Sequence, residues 1–356
     1  MSNNKFKILS IDGGGIRGVF PARFLSKLEA DLKSPIAENF DLICGTSTGG
    51  ILALALALKI PASDIEKLYV ENRKLIFPPF YRRWRLGLNR AKYNNKKLED
   101  LIRNKFKKAN NDIEPLIADL YTRVCITGYD LINAKPKVFK TPHKDDYYTD
   151  LHIPAYQVAM ATSAAPTYFN PYSSNYLIGD DNLKEEFLMR VDGGVFANNP
   201  ALIGLTEAHC SLGIPYADIE LYSIGTGQST YNETRSKICY GLFNKPFGAK
   251  YWISKIRILD LMMQAQSRHV HDLCIIFSGG TGNIKSKVFE YYRIQQEFLG
   301  FKIAMDSNKK NKLEKLMFMA SNKYQLHGQS ILSSIKKYNR WNDYSSINRR
   351  YTFKNK

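Results

Sequence analysis

The fold of this chain of 356 residues is decided by the stretch Phe40-Asp41-Leu42-Ile43-Cys44-Gly45-Thr46-Ser47-Thr48-Gly49-Gly50. A run of leucine and alanine from Ile51 to Leu58 follows directly. This order predicts a short buried strand, a tight turn and a buried helix. In the spacing Gly-x-Ser-x-Gly, Gly45 and Gly49 allow strand and helix to approach closely, which pushes the serine hydroxyl outward. Ser47 is therefore the first candidate nucleophile.

A second strand, glycine turn and helix precede this elbow. The apolar segment from Lys7 to Ile11 leads into Gly13-Gly14-Gly15-Ile16-Arg17-Gly18, and a helix is predicted to begin near Pro21. Such a loop presents unpaired backbone N–H groups, which hold either a phosphate or the oxyanion of an acyl-transfer intermediate. The loop lacks the Rossmann spacing and the Walker lysine, so a nucleotide interpretation is weak.

Further strands downstream also end in small residues. Asp192-Gly193-Gly194 follows one apolar segment, and Gly225-Thr226-Gly227 follows another. Repeated strands of this kind predict a mostly parallel sheet with functional sites at its carboxyl edge. We expect one α/β domain over residues 1–320 and a basic extension over residues 321–356, packed on that domain or trailing from it.

Composition and charge restrict the class of protein and its partners. The net charge of +18 allows nucleic acid, an anionic membrane or an acidic ligand. Five widely spaced cysteines indicate free thiols in a reducing compartment. The residues from Met1 to Phe6 show no signal peptide, and the longest apolar run is far shorter than the roughly 20 residues that span a bilayer. We expect a cytoplasmic protein with at most peripheral membrane attachment.

The most basic segment extends from Arg73 to Lys108, with 13 lysines and arginines against 2 acidic residues. Aromatic and basic residues alternate in it, which suits insertion at a membrane interface beside anionic headgroups. The candidate membrane-binding residues are Phe77, Phe80, Arg82, Arg83, Trp84 and Arg85. The alternative is a solvated basic helix and loop with a few aromatic rings in the core. Nothing else in the chain supports binding of single-stranded nucleic acid.

A serine nucleophile needs a general base, which is usually a histidine. His209, His269 and His271 follow Asp192 in the order of an α/β-hydrolase triad, but each falls inside a predicted helix without a recognisable motif. Packing or surface roles fit them better. Ser163 is a second serine near small residues, but it lacks flanking glycines and falls at a predicted helix end.

Taken together, the glycine loop, the elbow and the Asp192 segment resemble the patatin-like phospholipases, whose motifs occur in this order. The flanking segments are similar as well, from Ser10 to Asp12, from Ala161 to Pro166 and from Tyr222 to Gly227. The resemblance implies a three-layer α/β/α fold. It also implies a catalytic dyad of Ser47 as nucleophile and Asp192 as general base.

The same resemblance assigns the remaining motif residues. Backbone N–H groups of Gly13, Gly14 and Gly15 would form the oxyanion hole, and Arg17 would shape the loop. Structural glycines would be Gly18, Gly45, Gly49, Gly193 and Gly194. The implied reaction is hydrolysis of fatty-acyl esters of membrane glycerophospholipids, with no metal or other cofactor; no calcium loop of the EF-hand kind is visible.

A narrower resemblance is to compact bacterial members that act in anti-phage defence and are switched on by a cyclic dinucleotide. Chain length, the missing signal peptide and the cationic surplus agree with it. The alternatives are a housekeeping or general esterase with a Ser/His/Asp triad, and a non-catalytic module that binds lipid or nucleotide. The sequence also allows a homo-oligomer, and no nucleic acid polymer is expected as partner.

Overall fold

The structure is a computed structural model that describes residues 4–78, 91–178, 183–229, 257–280, 287–341 and Tyr344. The strands are β1 Asn4–Ile11, β2 Leu42–Gly45, β3 Arg123–Asp130, β4 Lys135–Lys140, β5 Tyr172–Ile178, β6 Leu183–Asp192, β7 Ile219–Ile224, β8 Gln228–Ser229, β9 Glu290–Ile294, β10 Glu297–Phe298 and β11 Asn339–Arg340. The helices are α1 Val19–Leu32, α2 Thr48–Ala57, α3 Ala62–Ile76, α4 Lys96–Ala109, α5 Ala155–Ser163, α6 Gly194–Ala197, α7 Ala201–Thr206, α8 Arg257–Phe277 and α9 Lys310–Lys337.

The main sheet is mostly parallel. Within the described ranges its strand order is β5-β6-β3-β2-β1-β7-β9, with β4 added beside β3 and β11 beside β1. The five central strands from β3 to β9 are parallel to one another, whereas β4, β5 and β6 pair antiparallel. The parallel strands all end at the same edge, so the loops after β1, β2 and β7 meet there.

Apolar side chains cover both faces of this sheet. On one face the core includes residues of α1, α2, α3, α4, α5 and α9, and on the other it includes residues of α7 and α8. These two cores make the fold a three-layer α/β/α arrangement, which confirms the predicted fold class. All residues of α2 are buried, which explains why its leucines and alanines show no amphipathic period.

The last long helix, α9, continues past residue 320 and packs on the domain. Along α9 the buried residues continue from Leu313 to Ile335. The ring of Tyr324 packs edge-on against Phe24 of α1, with 5.3 Å between the ring centroids. Residues 321–337 are therefore continuous with the fold. None of the helices that the structure describes is long and apolar enough to cross a membrane.

Candidate active site

The nucleophile elbow adopts a strained backbone conformation at Ser47. Its φ of 56° and ψ of −126° lie in a region that residues other than glycine rarely occupy. A Cβ on Gly45 would come within 2.3 Å of Gly49 O, and one on Gly49 would come within 2.2 Å of Ile11 O. Both glycines are thus required by close backbone contacts between β1, β2 and α2. These contacts hold Ser47 at the carboxyl edge of the sheet.

Asp192 ends β6 and lies beside Ser47 in a buried position. Its Oδ1 accepts a hydrogen bond of 2.7 Å from the Gly194 N–H. The other oxygen, Oδ2, is buried and has no well-formed hydrogen bond within the described part of the chain. Burial raises the pKa of Asp192 to about 7, although the Ser47 side chain and the Gly194 N–H lower it. A carboxylate with this pKa is a far better base near neutral pH than an ordinary aspartate.

A short segment at the end of α5 connects the two residues. The Ser47 N–H donates to Thr162 Oγ1 at 2.9 Å, and the Asp192 N–H donates to Ala164 O at 3.1 Å. Between them, Ser163 directs its hydroxyl to Ala159 O at 2.7 Å. This segment therefore fixes the relative position of Ser47 and Asp192, while the Ser163 hydroxyl is engaged with its own helix.

The glycine loop follows β1 and lines part of the same site. The Gly13 N–H donates to Asn198 O at 3.0 Å, so this donor is already bonded. Backbone N–H groups of Gly14 and Gly15 have no hydrogen-bond acceptor among the described residues. Gly15 has a φ of +57°, and a Cβ there would meet Met305 O at 2.3 Å. Gly14 and Gly15 are consequently the better candidates for an oxyanion hole.

Arg17 and the other motif glycines support these loops. The Arg17 side chain is buried, its Nε donates to Gly14 O at 3.4 Å, and its Nη2 lies 3.7 Å from Asp260 Oδ1. Gly18 lies against Thr48, Gly193 lies against Thr127, and Gly194 donates to Asp192.

A narrow apolar pocket opens beside Ser47 and Asp192. Its volume is about 50 Å³, well below the roughly 300–1,000 Å³ typical of ligand pockets. Gly15 and Ser163 also line it. The apolar walls include Ile51, Tyr69, Ile76, Phe77, Leu98, Tyr168, Phe169, Met263 and Met305. Such a pocket suits an apolar chain attached to a reactive carbonyl, but it must widen to admit a long one.

Phe77 lies in this pocket wall, and the prediction that it faces a membrane is wrong. The side chain is 5% exposed and packs edge-on against Tyr93, with 5.1 Å between the ring centroids. Farther along the basic segment, α4 buries apolar residues while its lysines are exposed or half-buried. The other candidate membrane-binding residues, Phe80, Arg82, Arg83, Trp84 and Arg85, lie outside the described residues.

The three candidate histidines lie apart from the pocket that contains Ser47. His209 is half-buried, and its Nδ1 pairs with Ile214 O at 2.9 Å. His271 pairs with the Tyr291 hydroxyl at 3.1 Å, and His269 is exposed. These contacts indicate the packing and surface roles expected from the sequence.

Replacing His209, His269 or His271 with alanine should therefore leave hydrolysis largely unchanged. We expect each variant to keep kcat/KM for a soluble fatty-acyl ester within about threefold of wild type, because a dyad needs no imidazole base. The assay is ester hydrolysis at pH 8 with the thermal midpoint of each variant as folding control. Loss of activity by a hundredfold or more in one folded variant would instead indicate a triad.

Within the described part of the chain, Cys125, His143 and Glu207 have the composition of a metal site. Their ligand atoms lie within 4.8 Å of one another in the interior. Lys140 already pairs with Glu207 at 2.5 Å, and Thr141 Oγ1 contacts His143 Nδ1 at 2.8 Å. We interpret the group as a structural ion-pair network, since none of these residues lines the pocket of Ser47.

Two supporting residues were not identified from the sequence. The Asn198 backbone oxygen accepts a hydrogen bond from the Gly13 N–H, and its side-chain amide donates one to Ser267 Oγ at 2.8 Å. Its proximity to Asp192 in the sequence is the only signal that pointed to it. Arg293 forms a two-armed ion pair with Asp12, at 2.5 and 2.8 Å. These partners are far apart in the chain, so no local pattern could reveal the pair.

Comparison with known proteins places the chain in a family. A family model described as patatin-like phospholipase matches residues 9–205. A relative from Vibrio cholerae serotype O1, described as a cGAMP-activated phospholipase, is 34% identical over 66% of this chain and 68% of its own length. One of the same description from Escherichia coli is 36% identical over 64% of each chain.

The chain therefore spans about two thirds of the length of these relatives. Among solved structures, VipD from Legionella pneumophila aligns at 12% identity over 90% of this chain and 67% of its own, with a TM-score of 0.38. The match to the family model includes the glycine loop, the elbow and Asp192. This chain belongs to the patatin-like phospholipase family.

Proposed function

We propose that this protein hydrolyses fatty-acyl esters of membrane glycerophospholipids through a dyad of Ser47 and Asp192. The observation that carries the proposal is the presence of both residues in the lining of one apolar pocket, with Asp192 buried and its pKa raised to about 7. The family and the names of its relatives support the same class of reaction.

The first half of the reaction forms an acyl-enzyme. Asp192 accepts the proton of the Ser47 hydroxyl as Oγ attacks the acyl carbonyl carbon. The N–H groups of Gly14 and Gly15 hold the oxyanion of the tetrahedral intermediate. When the intermediate collapses, the C–O bond to the glycerol oxygen breaks, and protonated Asp192 gives its proton to that oxygen. The lysophospholipid then leaves.

The second half releases the fatty acid. A water molecule attacks the acyl carbonyl carbon while Asp192 takes its proton, and the same two N–H groups hold the second oxyanion. Collapse breaks the bond to Ser47 Oγ, which recovers its proton from Asp192. No group other than this carboxyl has to move a proton in either half.

We further propose that hydrolysis takes place on an anionic membrane, at its cytoplasmic face, with the basic segment as the contact surface. Replacing Arg82, Arg83 and Arg85 together with glutamate should weaken binding to anionic vesicles by at least about tenfold, since each basic residue near such a surface contributes about 1 kcal/mol. Vesicle co-sedimentation measures the effect. Hydrolysis of a soluble ester serves as control and should persist; unchanged vesicle binding would contradict this surface.

Finally, we propose that the enzyme is switched on by a cyclic dinucleotide and acts in anti-phage defence. The support is that relatives from Vibrio cholerae and Escherichia coli are described as cGAMP-activated. The narrow catalytic pocket also fits an enzyme that requires an activator to open it. A direct test is phospholipid hydrolysis with and without a panel of cyclic dinucleotides; full activity in the absence of all of them would contradict the proposal.

A further inference from the structure

A second cavity shares no lining residue with the pocket of Ser47. Its volume of about 380 Å³ falls within the range of small-molecule sites. It is lined by β8, α8, α9 and the segment from Arg293 to Leu299. Unlike the catalytic pocket, it is polar, and its lining includes Gln228, Arg268, Arg293, Gln296, Glu297 and Lys323.

The charges in this cavity favour an anion. Arg268 and Lys323 contribute two cations from different helices, whereas Glu297 contributes the one carboxylate among the described lining residues. Arg268 pairs with Asp272 only at the exposed surface, at 3.0 Å, and such a pair contributes little. Lys323 has no ion-pair partner among the described residues. Guanidinium and ammonium groups bind phosphate well, and glutamine amides match the donors and acceptors on nucleobase edges.

Three hydrogen-bonded connections lead from the cavity to the glycine loop. Arg293 binds Asp12, the residue directly before Gly13. The Ser267 hydroxyl oxygen accepts a hydrogen bond from the Asn198 side-chain amide, and the Asn198 backbone oxygen accepts one from the Gly13 N–H. The loop is thus linked to the cavity on two sides.

The third connection passes through the turn after β7. Gln295 Oε1 accepts from the Gly227 N–H at 2.8 Å, and the neighbouring Thr226 donates to Gly13 O at 2.8 Å. A ligand that shifts the cavity wall would therefore shift the loop as well.

Two chain segments also extend from this cavity to the catalytic pocket. The helix α8 places Arg268 in the cavity and Met263 in the pocket wall. The segment that follows β9 lines the cavity up to Leu299 and then reaches Met305, which also lines the pocket. Since Met263 and Met305 line the pocket, movement of either segment can change its width.

We propose that this cavity is the binding site of the activating cyclic dinucleotide, and that its occupation widens the pocket through α8 and the segment to Met305. The inference rests on the proposed function, because an activator needs an activity to switch. The ligand acts only if it binds the wide state more tightly than the narrow one. Phosphate would lie against Arg268 and Lys323, and the bases against the glutamines.

The experiment measures cGAMP binding by calorimetry to the full chain carrying Ser47→Ala, so that catalysis plays no part. Adding Arg268→Glu and Lys323→Glu should raise the Kd for cGAMP at least about tenfold, since two cations become anions. The matched control is Lys310→Glu, the same charge change on the same helix about 20 Å away, which should leave the Kd within about twofold. In the protein with Ser47 intact, the cGAMP concentration for half-maximal hydrolysis should rise by the same factor.

Unchanged cGAMP binding in the Arg268→Glu and Lys323→Glu protein, or no binding by the Ser47→Ala chain, would overturn the site. If the double variant melts early, Lys323→Gln alone provides the test, with an expected three- to fivefold rise in Kd. Failure of the proposed function gives a different result: cGAMP binds as expected, but no lipid is hydrolysed. Hydrolysis of lipid without binding of cGAMP would instead support the proposed hydrolase activity and rule out this cavity as the cGAMP site.

Discussion

Replacing Ser47 with alanine is expected to reduce kcat/KM for a fatty-acyl ester by about 10³-fold or more, because the acyl-enzyme can no longer form. Asp192→Asn should reduce it to a similar extent, since an amide cannot accept the Ser47 proton. The two losses should not multiply when the substitutions are combined, because both residues act in one step. Ester hydrolysis by purified, folded variants measures this.

Ser163→Ala is the matched control for this prediction. Ser163 also lines the pocket, but its hydroxyl donates to Ala159 O within its own helix. Its removal should therefore change kcat/KM by no more than about threefold. A folded Ser47→Ala protein that retains a tenth of the wild-type rate would show that another group is the nucleophile.

The second large effect concerns stability, which should change with pH through Asp192. Burial raises the pKa of this carboxyl from 3.8 to about 7 in the folded protein. Between these values the unfolded chain loses the proton while the folded protein keeps it, so the free energy of unfolding falls as pH rises. Above about pH 7 the folded protein carries the full free-energy cost of burying the ionised Asp192 carboxylate. For a rise of about three pKa units this cost is about 4 kcal/mol.

Asp192→Asn removes this penalty while the amide oxygen still accepts from Gly194. We expect the inactive variant to be more stable than wild type by about 2 to 4 kcal/mol at pH 8, and the difference to vanish near pH 4. Urea unfolding at the two pH values measures it. A difference that does not depend on pH would contradict a raised pKa.

The same pKa predicts the pH dependence of catalysis. Only the ionised carboxylate accepts a proton, so kcat/KM of the wild-type enzyme should rise with pH and level off above about 7. A plateau that extends down to pH 5 would indicate an ordinary aspartate.

Much of the candidate catalytic centre could be predicted from the sequence because its parts are local. A strand, a glycine turn and a helix within a few residues placed Ser47, and the same pattern placed Gly13 to Gly18. The contacts around Gly45 and Gly49 explain why these positions admit no side chain. Parallel pairing of the strands then brought the loops to one edge, as the pattern of the segments predicts.

Other parts depend on contacts between distant segments and could not be predicted. Arg293 pairs with Asp12, and Met305 lies in the pocket wall. Both contacts form only when the segment from residue 293 to residue 305 packs against the glycine loop near the start of the chain. The basic neighbours of Phe77 in the sequence indicate a surface position, yet tertiary packing buries its side chain.

The central claim is that Ser47 and Asp192 cleave acyl esters of membrane lipids. The most direct measurement is mass spectrometry of the products from vesicles of defined phospholipids incubated with the protein and cGAMP. We expect equal amounts of fatty acid and lysophospholipid from the wild type, and neither from Ser47→Ala. Vesicles left intact by the wild type under every activator tested, or product release that persists in Ser47→Ala, would contradict it.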